Sequence, residues 1–238
     1  MKIDCEKKKG ITMQYYSVES GIFLARPNRF IAHVETDAGV QIVHVKNTGR
    51  CRELLIPGVT VYLEKSKNPN RKTAYDLIAV EKNGMLINMD SQAPNQVFEE
   101  WVKGSDAFEG VHTVHREYTY GASRIDFCLE TERGIHLVEV KGVTLEEDGK
   151  TRFPDAPTQR GIKHIQELQQ AVKEGLDATL FFVVQMEGAK SMQPNDVTHP
   201  EFGAALREAA AHGVRVCAYD CVVKPDSLSI RREIPVIL

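Results

Sequence analysis

Apolar and polar positions alternate in short runs along the first third of the chain. Gly21 to Ala25, Arg29 to Thr36, Val40 to Val45, Val59 to Lys65, Ala74 to Glu81 and Met85 to Met89 each read as a strand of period two. Asp37-Ala38-Gly39 and Asn83-Gly84 are turn signals between them, the second a two-residue hairpin cue. No helical pattern interrupts the series. Five or six short strands within about 70 residues predict a small closed barrel of the OB type.

The pattern changes around Ser91 to Asn95, where Pro94 suggests a domain boundary. Val97, Trp101, Val102 and Phe108 then recur at approximately helical spacing, and Val111 to Tyr120 alternates again. Gly121 leads into a β-hairpin, Ser123 to Glu130 and Ile135 to Lys141, turning at Thr131-Glu132-Arg133-Gly134. A polar loop is expected over Gly142 to Ala156, followed by a helix starting near Pro157 or Thr158 with Ile162, Ile165, Leu168 and Val172 as its buried stripe. Ala178 to Val184 is a continuous apolar run, as in a strand buried on both faces. Phe202 to His212 reads as a helix closed by Gly213, and Val214 to Asp220 as a returning strand. The order α-β-β-β-α-β-α-β predicts a mixed sheet with helices on both faces. The expected division is residues 1–92 for the barrel with a polar N-terminal segment, and 93–238 for the α/β domain.

Composition narrows the class. The 238 residues are 42% hydrophobic and 26% charged with no long apolar run, which is an ordinary soluble globular composition rather than a disordered or membrane one. Met1 to Gly10 is polar and lysine-rich without the apolar core of a secretory signal, so a free terminus and a cytoplasmic protein are expected. Cysteines at 5, 51, 128, 217 and 221 show no metal-ligand spacing and read as reduced, mostly buried thiols. The net charge of −3 conceals an asymmetry: Ser20 to Tyr75 carries nine basic against four acidic residues, Asp76 to Asp148 six against fifteen. A basic docking surface beside an acidic, cation-binding site produces such a distribution.

The basic residues cluster in three predicted loops, 26–30, 44–52 and 65–72. Arg26, Arg29, Lys46, Asn47, Arg50, Arg52, Arg71 and Lys72 are candidate nucleic-acid contacts, because guanidinium forks match phosphate and glycine lets backbone N–H groups approach an anion. Phe30 is a candidate stacking surface for a base. For any one of these residues, a barrel-face or solvated role is the plainer alternative.

The hairpin carries the chemistry. Glu139 and Lys141 share a strand face, and the turn brings Asp126 within about one residue of Glu139 across the ladder. Phosphodiester hydrolysis needs charge neutralisation and an activated water, which divalent metals supply. Asp126 and Glu139 are the expected metal and catalytic carboxylates for Mg2+ or Mn2+; Lys141 either orients and activates water or stabilises transition-state charge. An E/D-x-K triplet by itself is weak, since Glu6-Lys7-Lys8 and Asp148-Gly149-Lys150 also match. A cross-strand salt bridge is the structural alternative.

Ser-Arg-Ile-Asp-Phe127 followed by Val-Glu-Val-Lys-Gly-Val-Thr-Leu145 resembles the core of the sugar fermentation stimulation protein A family. His44 to Gly58, Phe153 to Thr158 and Arg160 to His164 resemble further segments of it. The resemblance implies an α/β and β two-domain protein, with an N-terminal OB-like β-barrel and a C-terminal α/β mixed sheet of PD-(D/E)xK nuclease type, in a bacterial or archaeal cytosol. Carried over by position, Asp126, Glu139 and Lys141 match the superfamily motif, and Glu100, beside Glu99, matches an additional helix carboxylate. Ile125 stands where the motif name has proline, a position that is not a ligand. Arg124, Arg160 and Lys163 are further candidate nucleic-acid contacts, the last two near a helix N-terminus; His164 and Glu117 are candidates for supporting the site from behind. The function expected is DNA binding with metal-dependent nuclease action, RNA being an alternative polymer. The competing readings are a non-catalytic DNA-binding regulator of sugar-utilisation genes and a hydrolase of small phosphorylated substrates. Oligomeric state is not read from the sequence.

Overall fold

The computed structural model of the chain describes residues 12–47 and 49–238. β1 (Met13–Gln14) is followed by β2 (Val18–Asn28), β3 (Ile31–Thr36), β4 (Gly39–Val45), β5 (Thr60–Lys65), β6 (Tyr75–Lys82) and β7 (Met85–Asn88). The period-two pattern closes into a ring of five strands. β2 pairs antiparallel with β3 and β5, β3 with β4, and β5 with β6, while β4 meets β6 in parallel at His44↔Asp76 and Val45↔Leu77. Phe23, Val34, Val43, Val61, Leu63 and Leu77 fill its core. A Cβ on Gly21 would stand 2.5 Å from Val34 Cγ1 and 2.8 Å from the Glu35 carbonyl oxygen, so glycine is what lets β2 and β3 approach so closely here. At the Lys82↔Met85 hairpin, Asn83 and Gly84 take φ of +51° and +78°, the two left-handed positions that a type I′ turn requires.

α1 (Ala93–Val102) opens the second half, with Pro94 in its first turn, where a missing N–H costs nothing. The proline therefore starts a helix. Phe108, expected on this helix, lies in the loop after it and packs edge-on against Phe98 at 5.8 Å between centroids. The chain continues through β8 (Thr113–Tyr120), β9 (Ser123–Thr131), β10 (Gly134–Val143), β11 (Leu145–Glu147), β12 (Lys150–Phe153), α2 (Gln159–Lys173), β13 (Asp177–Val184), β14 (Ser191–Pro194), α3 (Pro200–Ala211), β15 (Arg215–Lys224) and β16 (Ser227–Ile234). The main sheet has the order β1-β16-β15-β13-β10-β9-β8, with β10, β13 and β15 parallel at its centre. Both helices after the hairpin form where expected, and the Thr158 hydroxyl caps α2 by accepting from the Gly161 N–H at 3.0 Å.

Val97 and Phe98 of α1 pack on one face of this sheet with Phe127, Val138 and Phe181. Ile165, Leu168, Phe202 and Leu206 of α2 and α3 cover the other with Leu137, Leu180 and Phe182. Two features depart from the sequence reading. β1 and β16 extend the main sheet, so Met13 and Gln14 belong to it and not to the barrel. The expected polar loop holds β11 and β12, which form a small sheet with β14. These strands are too short and too charged to show a period, and long-range pairing makes them, as in the Thr151 hydroxyl donating to the Ser191 carbonyl at 3.0 Å.

The lysine-rich start falls in residues 1–11, outside the described residues, as does Cys5; Cys51, Cys128, Cys217 and Cys221 are buried free thiols. Barrel and sheet share a continuous apolar core and are joined by Asn88 N–H donating to the Gln185 carbonyl at 2.9 Å and by Lys82 Nζ against Glu146 at 3.0 Å. Among the described residues no helix is long and apolar enough to cross a membrane.

Candidate metal centre and nucleic-acid surface

The hairpin ladder runs from Gly134↔Thr131 to Val138↔Phe127, and one step further would set Glu139 opposite Asp126. There the backbone pairing gives way to the carboxylates. The Val140 N–H donates to Asp126 Oδ2 at 2.9 Å, and the Asp126 N–H to Glu139 Oε2 at 3.3 Å. On its other side, the β8 ladder skips the pair Glu117 and Asp126, and Glu117 takes a left-handed φ of +53°. Ile125 and Cys128 pack on the α2 side while Phe127 and Leu129 pack on the α1 side, so side-chain alternation slips at Asp126. Irregularities of this kind next to a site re-aim a side chain.

Glu139 is 1% exposed. Its Oε1 accepts from Lys141 Nζ at 2.5 Å and is in close contact with His164 Nδ1. Arg160 Nε donates to the other ring nitrogen, His164 Nε2, at 3.3 Å. A guanidinium cannot accept, so Nε2 is the acceptor and Nδ1 carries the proton that points at Glu139. His164, expected as a supporting residue, thus touches the central carboxylate directly. The supporting residue the sequence reading missed is Asn95, whose Nδ2 donates to Asp126 Oδ1 at 2.9 Å.

Burial and the charge of Glu139 push the Asp126 carboxyl up, while Lys141, the Val140 N–H and Asn95 pull against them. In Glu139 burial also acts upward, but the His164 hydrogen bond and Lys141 outweigh it and hold the carboxyl below the usual carboxylate range. Among the described residues no group of three or more His, Cys, Asp or Glu is arranged to hold a metal, so the two carboxylates stand as a pair. That donor set fits a hard divalent cation, which commonly takes one or two carboxylates and completes its shell with waters and phosphate oxygens. A cation there would relieve the repulsion that raises Asp126.

Glu100 is not brought to this pair. On α1, Asn95 and Glu99 lie on one flank of the buried stripe, whereas Gln96 and Glu100 lie on the other, as 3.6 residues per turn requires. Gln96 Nε2 donates to Glu100 Oε1 at 3.0 Å, and Glu100 Oε2 is buried without a partner among the described residues. Glu99 pairs with Lys103 and with Arg116 instead. Glu117 is exposed and pairs with Arg124 at 3.3 Å, which takes it away from a supporting position behind Asp126.

The basic residues sort by what already holds them. Arg26 is a loop organiser: its guanidinium donates to the carbonyls of Asn47 at 2.7 Å, Arg29 at 2.8 Å, Gly49 at 3.0 Å and Arg50 at 2.8 Å. Asn47 is likewise structural, donating to the Met89 carbonyl and accepting from the Gly49 N–H. Lys46 is paired with the buried Asp90 at 2.6 Å, and Arg71 grips Asp76 with both terminal nitrogens. Lys163 donates to the Ala122 carbonyl at 2.8 Å. Arg50, Arg52 and Lys72 carry no side-chain hydrogen bond or ion pair among the described residues, and Arg29 only lies over the Phe30 ring at 5.5 Å. Phe30 itself is 49% exposed.

Barrel and hairpin together define a class of protein: an OB barrel fused to an α/β domain whose central hairpin presents one buried carboxylate, one partly buried carboxylate and a lysine. Residues 24–89 match the SfsA N-terminal OB domain, and residues 92–227 match the sugar fermentation stimulation protein RE domain. The chain belongs to the sugar fermentation stimulation protein family. It is 50% identical over 226 residues to a sugar fermentation stimulation protein homolog of Ruminiclostridium cellulolyticum, covering 95% of this chain and 100% of that one. A homolog from Clostridium beijerinckii is 49% identical with the same coverage. The solved structure of Pyrococcus furiosus SfsA in complex with Ca2+ superposes with a TM-score of 0.87 at 28% identity, over 95% of this chain and 98% of that one.

Proposed function

We propose that this protein binds DNA and hydrolyses its phosphodiester bonds at the hairpin, using Mg2+ or Mn2+ held by Asp126 and Glu139. The observation that carries this reading is the break in the ladder at Asp126 and Glu139, where a partly buried and a buried carboxylate face one another with Lys141 beside them. The Ca2+ complex of the Pyrococcus furiosus relative supports a hard-cation site. A bound cation supplies Lewis-acid activation of the phosphate and a more acidic water.

The chain's own groups do the rest. Asn95 and the Val140 N–H fix the orientation of Asp126; His164 fixes that of Glu139 and is itself fixed by Arg160. The Lys141 ammonium stands where it can neutralise charge growing on a phosphate oxygen, or hold the attacking water. Arg29, Arg50, Arg52 and Lys72, whose charges have no ion-pair partner among the described residues, are the leading phosphate contacts.

The test is incubation with single- and double-stranded DNA and with RNA, in Mg2+ or Mn2+, for the wild type, Lys141→Ala and Glu139→Gln. Metal-dependent cleavage lost in both variants is expected. Tight DNA binding with no cleavage by the wild type would overturn the enzyme and leave the non-catalytic DNA-binding regulator. Cleavage of RNA alone would transfer the activity to that polymer.

A further inference from the structure

Away from the hairpin, the end of β2 and the segment 49–57 enclose a cavity of about 650 Å3 that Ala156 of the second domain helps to line. Phe23, Leu24, Leu55 and Pro57 give it an apolar lining, and Arg29, Arg50 and Arg52 line it as well. Its size falls in the range of small-ligand sites. We propose that this cavity takes one unstacked nucleotide of a single-stranded nucleic acid, the base on the apolar surface and the flanking phosphates on Arg50 and Arg52. The inference rests on the nucleic-acid-binding reading and adds a substrate class to it.

The first argument is charge. Arg71 and Lys46 are neutralised by Asp76 and Asp90, but Arg50 and Arg52 have no acceptor among the described residues and are exposed. Uncommitted guanidinium groups beside a concave apolar surface complement a ligand that is anionic at one end and flat and apolar at the other.

The second argument is construction. Arg26 ties the carbonyls of Asn47, Gly49 and Arg50 to that of Arg29, so the edge bearing Arg50 is built before any ligand arrives. Cys51, between the two arginines, is buried with a φ of +45°. Burial of its side chain leaves Arg50 and Arg52 on the exposed side. The Asp155 carboxylate lies behind Gly49, where a Cβ would meet its Oδ2 at 2.4 Å, and is not part of the cavity lining.

The third argument separates the occupant from its rivals. A duplex keeps its base faces stacked and offers phosphates and base edges, none of which can use an apolar cavity. A sugar phosphate would leave its hydroxyls unpaired against Leu24, Leu55 and Pro57. An unpaired base has an apolar face to bury there.

The test is fluorescence anisotropy with a labelled oligothymidylate of about ten nucleotides, within the span one OB barrel covers, and with a blunt duplex. Both are measured with EDTA present, so that cleavage plays no part. Tighter single-strand binding, competition by dTMP well beyond that by inorganic phosphate, a loss of roughly tenfold or more in Leu24→Glu on the single strand alone, and a larger loss on the single strand than on the duplex in Arg50→Ala/Arg52→Ala are expected. Leu24 and the two arginines are exposed, and circular dichroism checks that the variants fold. Equal losses on single strand and duplex, or equal competition by dTMP and phosphate, would overturn the nucleotide site while leaving DNA binding intact. Absence of binding to either polymer would overturn the nucleic-acid reading along with it.

Discussion

Replacing Lys141 by methionine keeps most of the stem and removes the ammonium, which leaves the Glu139 carboxylate in the core with His164 as its remaining side-chain donor. Glu139 is 1% exposed and Lys141 only 16%, so solvent does little to compensate. Removing one partner of a buried pair costs about 3–5 kcal/mol, and the hydrogen bond left from His164 places this case near 3 kcal/mol. For a protein of this size that is a fall in melting temperature of roughly 6–12 °C. A divalent cation narrows the difference. At a hundred times its dissociation constant a ligand adds about 2.7 kcal/mol, and in Lys141→Met the cation meets Glu139 without a competing ammonium. The assay is thermal unfolding in EDTA and across a Ca2+ titration, for the wild type, Lys141→Met, Glu139→Gln and the double variant. The methionine variant should be the least stable without cation and show the largest shift with it. Glu139→Gln should respond weakly, and adding Lys141→Met to it should cost little, because the interaction is already gone. A Lys141→Met protein within about 0.5 kcal/mol of wild type, the scatter of an uncoupled surface change, would refute the reasoning. So would equal cation shifts in Lys141→Met and Glu139→Gln.

Two other consequences are open to direct measurement. Arg26→Ala removes a guanidinium held by four carbonyls and should cost about 2–6 kcal/mol in urea unfolding, at roughly 0.5–1.5 kcal/mol per bond; Arg26→Lys should recover little, since an ammonium cannot reproduce the fork. His136, which meets the Thr179 hydroxyl at 2.7 Å and the Phe108 ring at 5.1 Å, has its pKa pushed down by burial to about 4, with nearby Arg215 adding to burial and Asp177 opposing it. The unfolded chain binds a proton there below about pH 6.5 and the folded chain only below about 4, so this residue withdraws up to about 3 kcal/mol of stability as pH falls through that window. Unfolding measured at pH 7 and pH 4.5 should show a shallower loss for His136→Gln than for the wild type; identical slopes would exclude the assignment.

Both consequences turn on contacts between distant parts of the chain, whereas much of the fold is written locally. Strand alternation from Gly21 to Met89 defined the barrel strands, because a strand with one buried face must repeat every second residue. The hairpin spacing placed Asp126 across from Glu139 for the same reason, and the capped stripe of α2 was equally plain. The short strands β11, β12 and β14 were not legible, since strands of three or four residues have no period to read and exist only by pairing with one another.

At the candidate site, the residue types and their spacing along the hairpin were the sequence's contribution: two carboxylates and a lysine that adjacent strands must bring close. Tertiary structure decided which helix groups reach them. Asn95 and Glu100 stand about 140° apart around an α-helix, and the face of α1 that packs on the sheet turns Asn95 and not Glu100 toward Asp126. It also decided which basic residues keep a free charge. Arg26, Arg50 and Arg52 look alike along the chain, yet the folded loop commits the first to four carbonyls and leaves the other two without a partner among the described residues. A side chain's chemistry is local, but its available hydrogen-bond partners are set by whichever distant segments fold against it.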